Sequence, residues 1–433
     1  MTELSEADKK LQDELEKLSQ QRQLILARLE RSSHERINQN LEQAESSRKR
    51  PSSLREASDQ QVQSIKKSAK DSIVLSDIQG TLGERLLELG QTVLISDKRS
   101  KYLSLCKNCV IDLTPSNEVS QIDLIGSSRI RPFLKKYLVE VGGDENSDNN
   151  IDELAKLLSK LSNKRKLESC YKDRIAKYEP RNDIERAVHN IYKYVLEQHA
   201  FKSFMLTNAY IDACSEQSIN IKYWSYLFET YFGRNRNIFL QWGDTIAADC
   251  KNSSLSFKLD LRIIVNIEKT DHDIIAAELA PPTTTINSKL YNDKLKLALV
   301  SKCHLNSLLM AMPFIPKTKI KLIRLPLIQI MGLSCHIYAL SLIDKGVYLL
   351  QRICSVTYPF THIHLQTGGL QKIVQAFSVV EDMISDISDY HRNYSTDNST
   401  KMDKLLKARK KSTADVEDWV SEVIWDKRLA DEN

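Results

Sequence analysis

The sequence predicts an α/β protein: a mostly helical first half led by a coiled-coil arm, then a C-terminal domain built on a mixed sheet. Three observations carry this expectation. Leucine and isoleucine recur at heptad spacing near the N-terminus, and apolar residues fall at helical spacing through the middle of the chain. After Trp242-Gly243 the period changes from helical to alternating.

The 433 residues, 41% of them hydrophobic, suffice for at least one substantial core, and two folded units plus tails are expected. Lys and Arg (62) nearly balance Asp and Glu (57), so the net charge of +5 does not by itself argue for nucleic acid. Eight cysteines lie scattered, without the dense spacing of a disulfide framework, which implies a reducing compartment. The opening Met1-Thr-Glu-Leu-Ser-Glu has no apolar signal-peptide core and is too acidic for a presequence, so an intracellular protein is expected. Leu295 to Met312 and Leu322 to Leu342 are interrupted by residues such as Lys302, His304, Arg324 and Pro326, so no membrane span is expected.

In the arm, residues 1–45, Leu4, Leu11, Leu18 and Ile25 form a seam with Leu15 and Leu29 interleaved. Asp8 and Arg22 interrupt that interleaved row, and so short a helix is marginal alone. A partner helix, its own copy or another protein's, is therefore expected, with a solvated charged helix as the alternative. Residues 46–72 read as a disordered linker poor in apolar side chains, and Arg48-Lys49-Arg50-Pro51 within it has the form of a nuclear address. Residues 73–141 read as a small helical or α/β subdomain, and 142–151 as an acidic linker. Residues 152–236 read as a helical region with helices at Asp152–Lys166, Ile184–Ala213 and Ile221–Gly233.

The core domain is expected at 237–395. In Phe257 to Ile267 every odd position is apolar, which predicts a strand with one core face. Ile274 to Ala280 predicts a second strand, stopped by Pro281-Pro282. A helix over Ser288–Met312 follows, then strands at Leu327–Met331, Cys335–Leu342 and Val347–Val356, the last two joined by a hairpin at Asp344-Lys-Gly. A helix over Gly369–Tyr390 closes a sheet of about five strands. The tail, 396–433, reads as a solvated or partner-binding helix.

Glu278 interrupts an apolar strand, where an unpaired carboxylate is costly to bury, so it needs a partner. A divalent cation shared with Asp260 on the neighbouring strand satisfies it, because Mg²⁺ takes carboxylate oxygens and retains waters. Such an ion supports hydrolysis of a phosphodiester, and a nearby lysine orients the attacking water. The plain alternative is a buried ion pair between Glu278 and Lys258, Arg262 or a lysine of the following helix.

The run from Trp242-Gly243-Asp244 through Lys258-Leu-Asp260, Ala277-Glu278-Leu-Ala and Lys289-Leu-Tyr-Asn-Asp293-Lys-Leu-Lys296 to Gln329-Ile-Met-Gly-Leu resembles uncharacterised eukaryotic members of the PD-(D/E)xK nuclease-like superfamily. The resemblance covers residues 221–387. It implies a restriction-endonuclease-like core, with Asp260 as the motif aspartate, Glu278 as the acidic residue of the (D/E)xK element, and Asp244 or Glu229 as an additional acid. The lysine expected two positions after Glu278 is Ala280. Either Lys296 or Lys294 on the following helix takes its place, or the site is inactive.

Other constellations are weaker. Cys106-Lys-Asn-Cys109 has half a zinc-site spacing but no second pair at a matching distance, and reads as two reduced thiols. His362-Ile-His364 puts two imidazoles on one face of an extended segment, with no third ligand nearby. Lys222-Tyr-Trp-Ser-Tyr and Tyr231-Phe-Gly-Arg interleave basic and aromatic residues, as a nucleic-acid surface does and as a core-facing helix does equally. There is no phosphate-loop, nucleophile-elbow, kinase or dinucleotide motif.

Two functions follow as expectations. The first is a Mg²⁺-dependent nuclease-like protein acting on DNA, active or inactive, with Asp260 and Glu278 on the metal, Lys296 on the water and Asp244 assisting. The second is a nuclear scaffold or DNA-binding protein that oligomerises through its coiled coil.

Overall fold

A computed structural model of the chain describes residues 53–91, 105–114, 120–138, 164–253, 255–281, 287–396 and 415–425. The predicted coiled coil, the basic cluster at Arg48, the acidic linker and most of the helix predicted from Asp152 lie outside the described residues. The chain divides into two compact units, Met1–Gln60 and Gln61–Asn433, and the second holds the sheet.

That sheet has seven strands: β1 (Val110–Asp112), β2 (Ile238–Thr245), β3 (Leu259–Ile267), β4 (Thr270–Ala280), β5 (Arg324–Met331), β6 (Ser334–Asp344) and β7 (Val347–Thr357), in the order β1-β7-β6-β5-β4-β3-β2. It is mixed, with β1 parallel to β7, β4 parallel to β5, and every other neighbour antiparallel. The helices that matter for the site are α1 (Ser53–Lys70), α2 (Leu82–Gln91), α3 (Asp183–Phe201), α4 (Ser225–Phe232), α5 (Ala248–Asn252), α6 (Asn287–Met310) and α7 (Gly369–Tyr394).

The strands predicted in the core are all present; β3 starts two residues later than its alternating run, and the others are longer than their apolar runs. β5 and β6 are buried along almost their whole length, so both faces of the central sheet are covered. Between β3 and β4 the expected six-residue turn is a tight two-residue one. Glu268 and Lys269 both take positive φ (51° and 69°), the twist that suits a hairpin of right-handed strands, and the polar residues Asp271 to Asp273 extend β4. A parallel return from β4 to β5 demands a long crossover, and α6 supplies it.

The structure departs from expectation at further points. The sheet has two more strands than expected, because β2 carries a bulge and an exposed Phe239 that blur its alternation, and β1 is only three residues long. Within the range read as a subdomain, Val110–Asp112 pairs with Tyr348–Leu350 of β7 as the edge of the same sheet. Within the supposed linker, residues 53–70 are helical, and Ile65 and Ala69 are buried against Leu82, Leu86 and Val347. Those two apolar residues, four apart, make one helical stripe, enough for docking though too few to stand out in a Ser/Gln/Lys-rich run. In the tail, residues 415–425 are a 3₁₀ turn and an extended strap laid on the body, with Val416, Trp419 and Val423 buried.

The helix expected from Ile184 to Ala213 is shorter. α3 ends at Phe201, and two short helical turns, Ser203–Leu206 and Asn208–Asp212, follow, the second opened by the Thr207 side chain accepting from the Tyr210 N–H. Around α4 lies the aromatic centre of the core: Trp224, Phe228, Tyr231 and Phe232 are buried, and Phe228, Tyr231 and Phe232 pack against Phe377 of α7. Burying each such ring contributes roughly 1.5–3 kcal/mol. The Lys222-Tyr-Trp-Ser-Tyr and Tyr231-Phe segments are thus chiefly core. Among the described residues no helix is long and apolar enough to cross a membrane.

Candidate functional site

The register of the β3–β4 hairpin sets Leu261 opposite Ala277 and Arg262 opposite Ala276, and continued one step beyond these last pairs it brings Asp260 opposite Glu278. Cross-strand partners share a face, so the two carboxylates meet on one side of the sheet. Asp260 Oδ2 accepts from the Leu279 N–H at 2.7 Å, which ties its carboxylate to the neighbouring strand. Glu278 is 5% exposed.

α6 packs along β4 and β5. It brings Lys296 Nζ to 2.7 Å from Glu278 Oε1, in an ion pair off the hydrogen-bond axis, so that this buried oxygen lacks an aligned donor. Ala280, two positions after Glu278, is buried and apolar, and the ammonium group beside Glu278 comes from α6. Lys294, the other candidate, is committed elsewhere: its Nζ lies 2.6 Å from Asp112 Oδ2 and donates to Thr114 Oγ1 at 2.7 Å, fastening α6 to β1. Lys258 and Arg262, the other possible partners of Glu278, pair with Asp244 (3.8 Å) and Asp273 (2.7 Å).

Burial pushes the Glu278 carboxyl up to about 8; Lys296 opposes that rise, while Asp260 and Asp293 add to it. Asp260 is also raised, first by burial and then by the charges of Glu216 and Asp244, against the lowering effect of the Leu279 N–H and Lys296. Glu216 and Asp244 thus raise Asp260, and Asp260 and Asp293 raise Glu278, while Lys296 opposes the rise at both carboxylates. A buried carboxylate whose partner is the Lys296 ammonium, with a second carboxylate beside it, is a donor set that a hard divalent cation could take, and its charge would relieve this repulsion.

Asp244 sits in the β2 bulge beside Gly243, whose φ of +96° is open to glycine and rare for other residues. Its side chain is 71% exposed. Glu229 accepts from the Trp242 indole N–H at 2.6 Å and so steadies the same bulge. Sequence reasoning missed three contributors. Glu216 follows its N-cap Ser215 in a short helix distant in sequence, with no spacing to announce it. Asp293 stands three residues before Lys296, hence on the same face of α6, a signal the sequence did offer. Gln329 is paired in register with Glu278, is 1% exposed, and donates to the Leu290 carbonyl at 2.9 Å, positioning the start of α6.

Cys106 and Cys109 are buried free thiols, both pushed up to about 12 by burial, which suits packing and not metal or redox chemistry. His362 and His364 lie in a short helix, His362–Gln366, and not in an extended segment, so their two-residue spacing separates them.

The fold and site define a class, an α/β protein with a two-carboxylate, one-lysine cluster at a sheet hairpin. Compared with family models, curated proteins and solved structures, the chain matches none.

Proposed function

We propose that the protein is a Mg²⁺-dependent nuclease-like phosphodiesterase acting on DNA, with a restriction-endonuclease-like core. The observation that carries this reading is the placement of Asp260 opposite Glu278 on one face of the hairpin, with Lys296 Nζ 2.7 Å from the glutamate. Asp260 and Glu278 hold the cation, which when bound supplies Lewis-acid activation of a phosphoryl oxygen and of water. Displaced from Glu278 Oε1, the Lys296 ammonium orients the attacking water and offsets charge developing on the phosphate. Asp244, at the exposed rim, assists from the bulge. Because Glu278 holds its proton up to about pH 8, ion loading releases that proton and is favoured at mildly alkaline pH.

A second reading is an inactive descendant: a DNA-binding protein or nuclear scaffold that oligomerises through its heptad arm. It is favoured by the closed state of the pair, in which the Glu278 side chain is 6% exposed and Lys296 occupies the place of an ion. Nuclear residence in either reading rests on Arg48-Lys49-Arg50-Pro51.

The test is cleavage of single- and double-stranded DNA and of RNA with Mg²⁺ or Mn²⁺, comparing wild type with Asp260→Ala and Glu278→Ala. The nuclease reading expects cation-dependent cleavage that both variants abolish. Absence of cleavage for every substrate form ends it and leaves the scaffold.

A further inference from the structure

β3, β4 and α6 enclose a second polar cluster, separate from the first. Along β3 the side chain two residues after Asp260 on the same face is Arg262, and it holds Asp273 of β4 with two donated hydrogen bonds of 2.8 and 2.7 Å. Eight residues beyond Lys296 on α6, about 12 Å along the axis, is His304. Asp249 of α5 completes the group: its Oδ1 accepts from Ser307 Oγ at 3.0 Å, and its Oδ2 lies 3.4 Å from His304 Nδ1. One oxygen from each aspartate and one ring nitrogen of His304 all lie within 4.8 Å of one another.

We propose that Asp249, Asp273 and His304 form a binding site for a divalent transition-metal ion of the zinc type. The histidine side chain is 0% exposed, and its Nε2 has no hydrogen-bond partner. A buried imidazole with an unmatched nitrogen, set between two carboxylates, is unfavourable for folding alone and suited to a borderline cation. One imidazole and two carboxylates are three protein ligands, and a water takes the fourth position of a tetrahedral ion. Arg262 is compatible with this. A carboxylate has about four lone-pair sites, two bonds from the guanidinium leave others free, and a fixed outer partner of this kind orients a ligating carboxylate. Ser307 does the same for Asp249. Of the three ligands Asp249 lines a cavity of about 320 Å³, together with Cys303, Ser307 and Val420 to Val423 of the strap. The proposal is independent of the nuclease reading, because none of the three ligands belongs to the Asp260–Glu278 pair.

The test is Co²⁺ titration of the full chain, read by visible ligand-field absorption, with Zn²⁺ competition. Wild type and the double variant Asp260→Asn/Glu278→Gln are both expected to develop the spectrum at one equivalent, and Zn²⁺ to erase it. Asp249→Asn and His304→Gln are expected to weaken binding at least about 100-fold while far-ultraviolet circular dichroism stays native. Should either single variant fail to fold, the wild-type and double-variant titrations still decide. No spectrum in wild type, or a spectrum lost in the double variant, overturns the proposal, as does one retained in a folded His304→Gln protein.

Discussion

Glu278 concentrates the tension of this molecule in one side chain. Its carboxyl rises from an ordinary value of 4.5 to about 8 because it is buried, with Lys296 only partly compensating. Between these two values the folded state keeps a proton that the unfolded chain releases. Stability from this group is therefore fully present below about pH 4.5 and is lost as pH climbs through about 8, a span on the order of a few kcal/mol. Glu278→Gln is expected to remove that downward slope, as measured by urea unfolding at a series of pH values from 5 to 9. An unchanged slope in the variant would mean the burial of Glu278 has no such consequence. Lys296→Met has the opposite character: it leaves the carboxylate with no counter-charge, so unfolding above pH 8 should be easier than in wild type, while at pH 5, where Glu278 is protonated, the difference should be small. Equal destabilisation at both pH values would place the loss in packing and not in charge.

At the scale of elements, the β3–β4 hairpin and α6 act as a unit. The Arg262–Asp273 pair, with both side chains about nine-tenths buried, ties the two strands beyond the site. Removing one partner strands the other, so Arg262→Met is expected to cost about 3–5 kcal/mol by chemical denaturation, with a double replacement of both residues by apolar ones costing less. The strap at 415–425 is a second such unit. Lys302, fully buried, donates to the carbonyls of Asn108 at 3.0 Å and Glu422 at 2.8 Å, and the Asn108 side chain both donates to and accepts from the Ile424 backbone. Trp419→Ala is predicted to destabilise by about 3–5 kcal/mol, the range for emptying a buried aromatic position. A loss under about 0.5 kcal/mol would mean the strap is not part of the folded unit.

Across the whole molecule, legibility followed residue periodicity. β3, β6, β7, α6 and α7 were readable because each pattern runs over eight residues or more, and β4 and β5 from shorter apolar runs. β1 was not, since Val110-Ile-Asp gains its identity from Leu349 and its neighbours, more than two hundred residues later. The strap was hidden for the same reason: its partners Asn108, Lys302, Asn306 and Tyr348 come from three places in the chain, Lys302 and Asn306 sharing α6. Of the candidate site, Glu278 and its neighbour Asp260 stand out in the sequence because a carboxylate in an apolar strand demands a partner, whereas Lys296 is named only through the family resemblance. The choice between Lys294 and Lys296 could not be read there, since both sit on α6 and only the position of Asp112 separates their roles.

The account turns on Glu278 exchanging a proton, and its contact with Lys296, for a cation shared with Asp260. Calorimetric Mg²⁺ titration of the full chain at pH 6, 7, 8 and 9 measures this directly. The expected result is an affinity that rises about tenfold per pH unit up to about pH 8, then levels, and that disappears in Asp260→Asn and in Glu278→Gln. Mg²⁺ binding that is indifferent to pH and to both substitutions, or no binding at any pH, would contradict it.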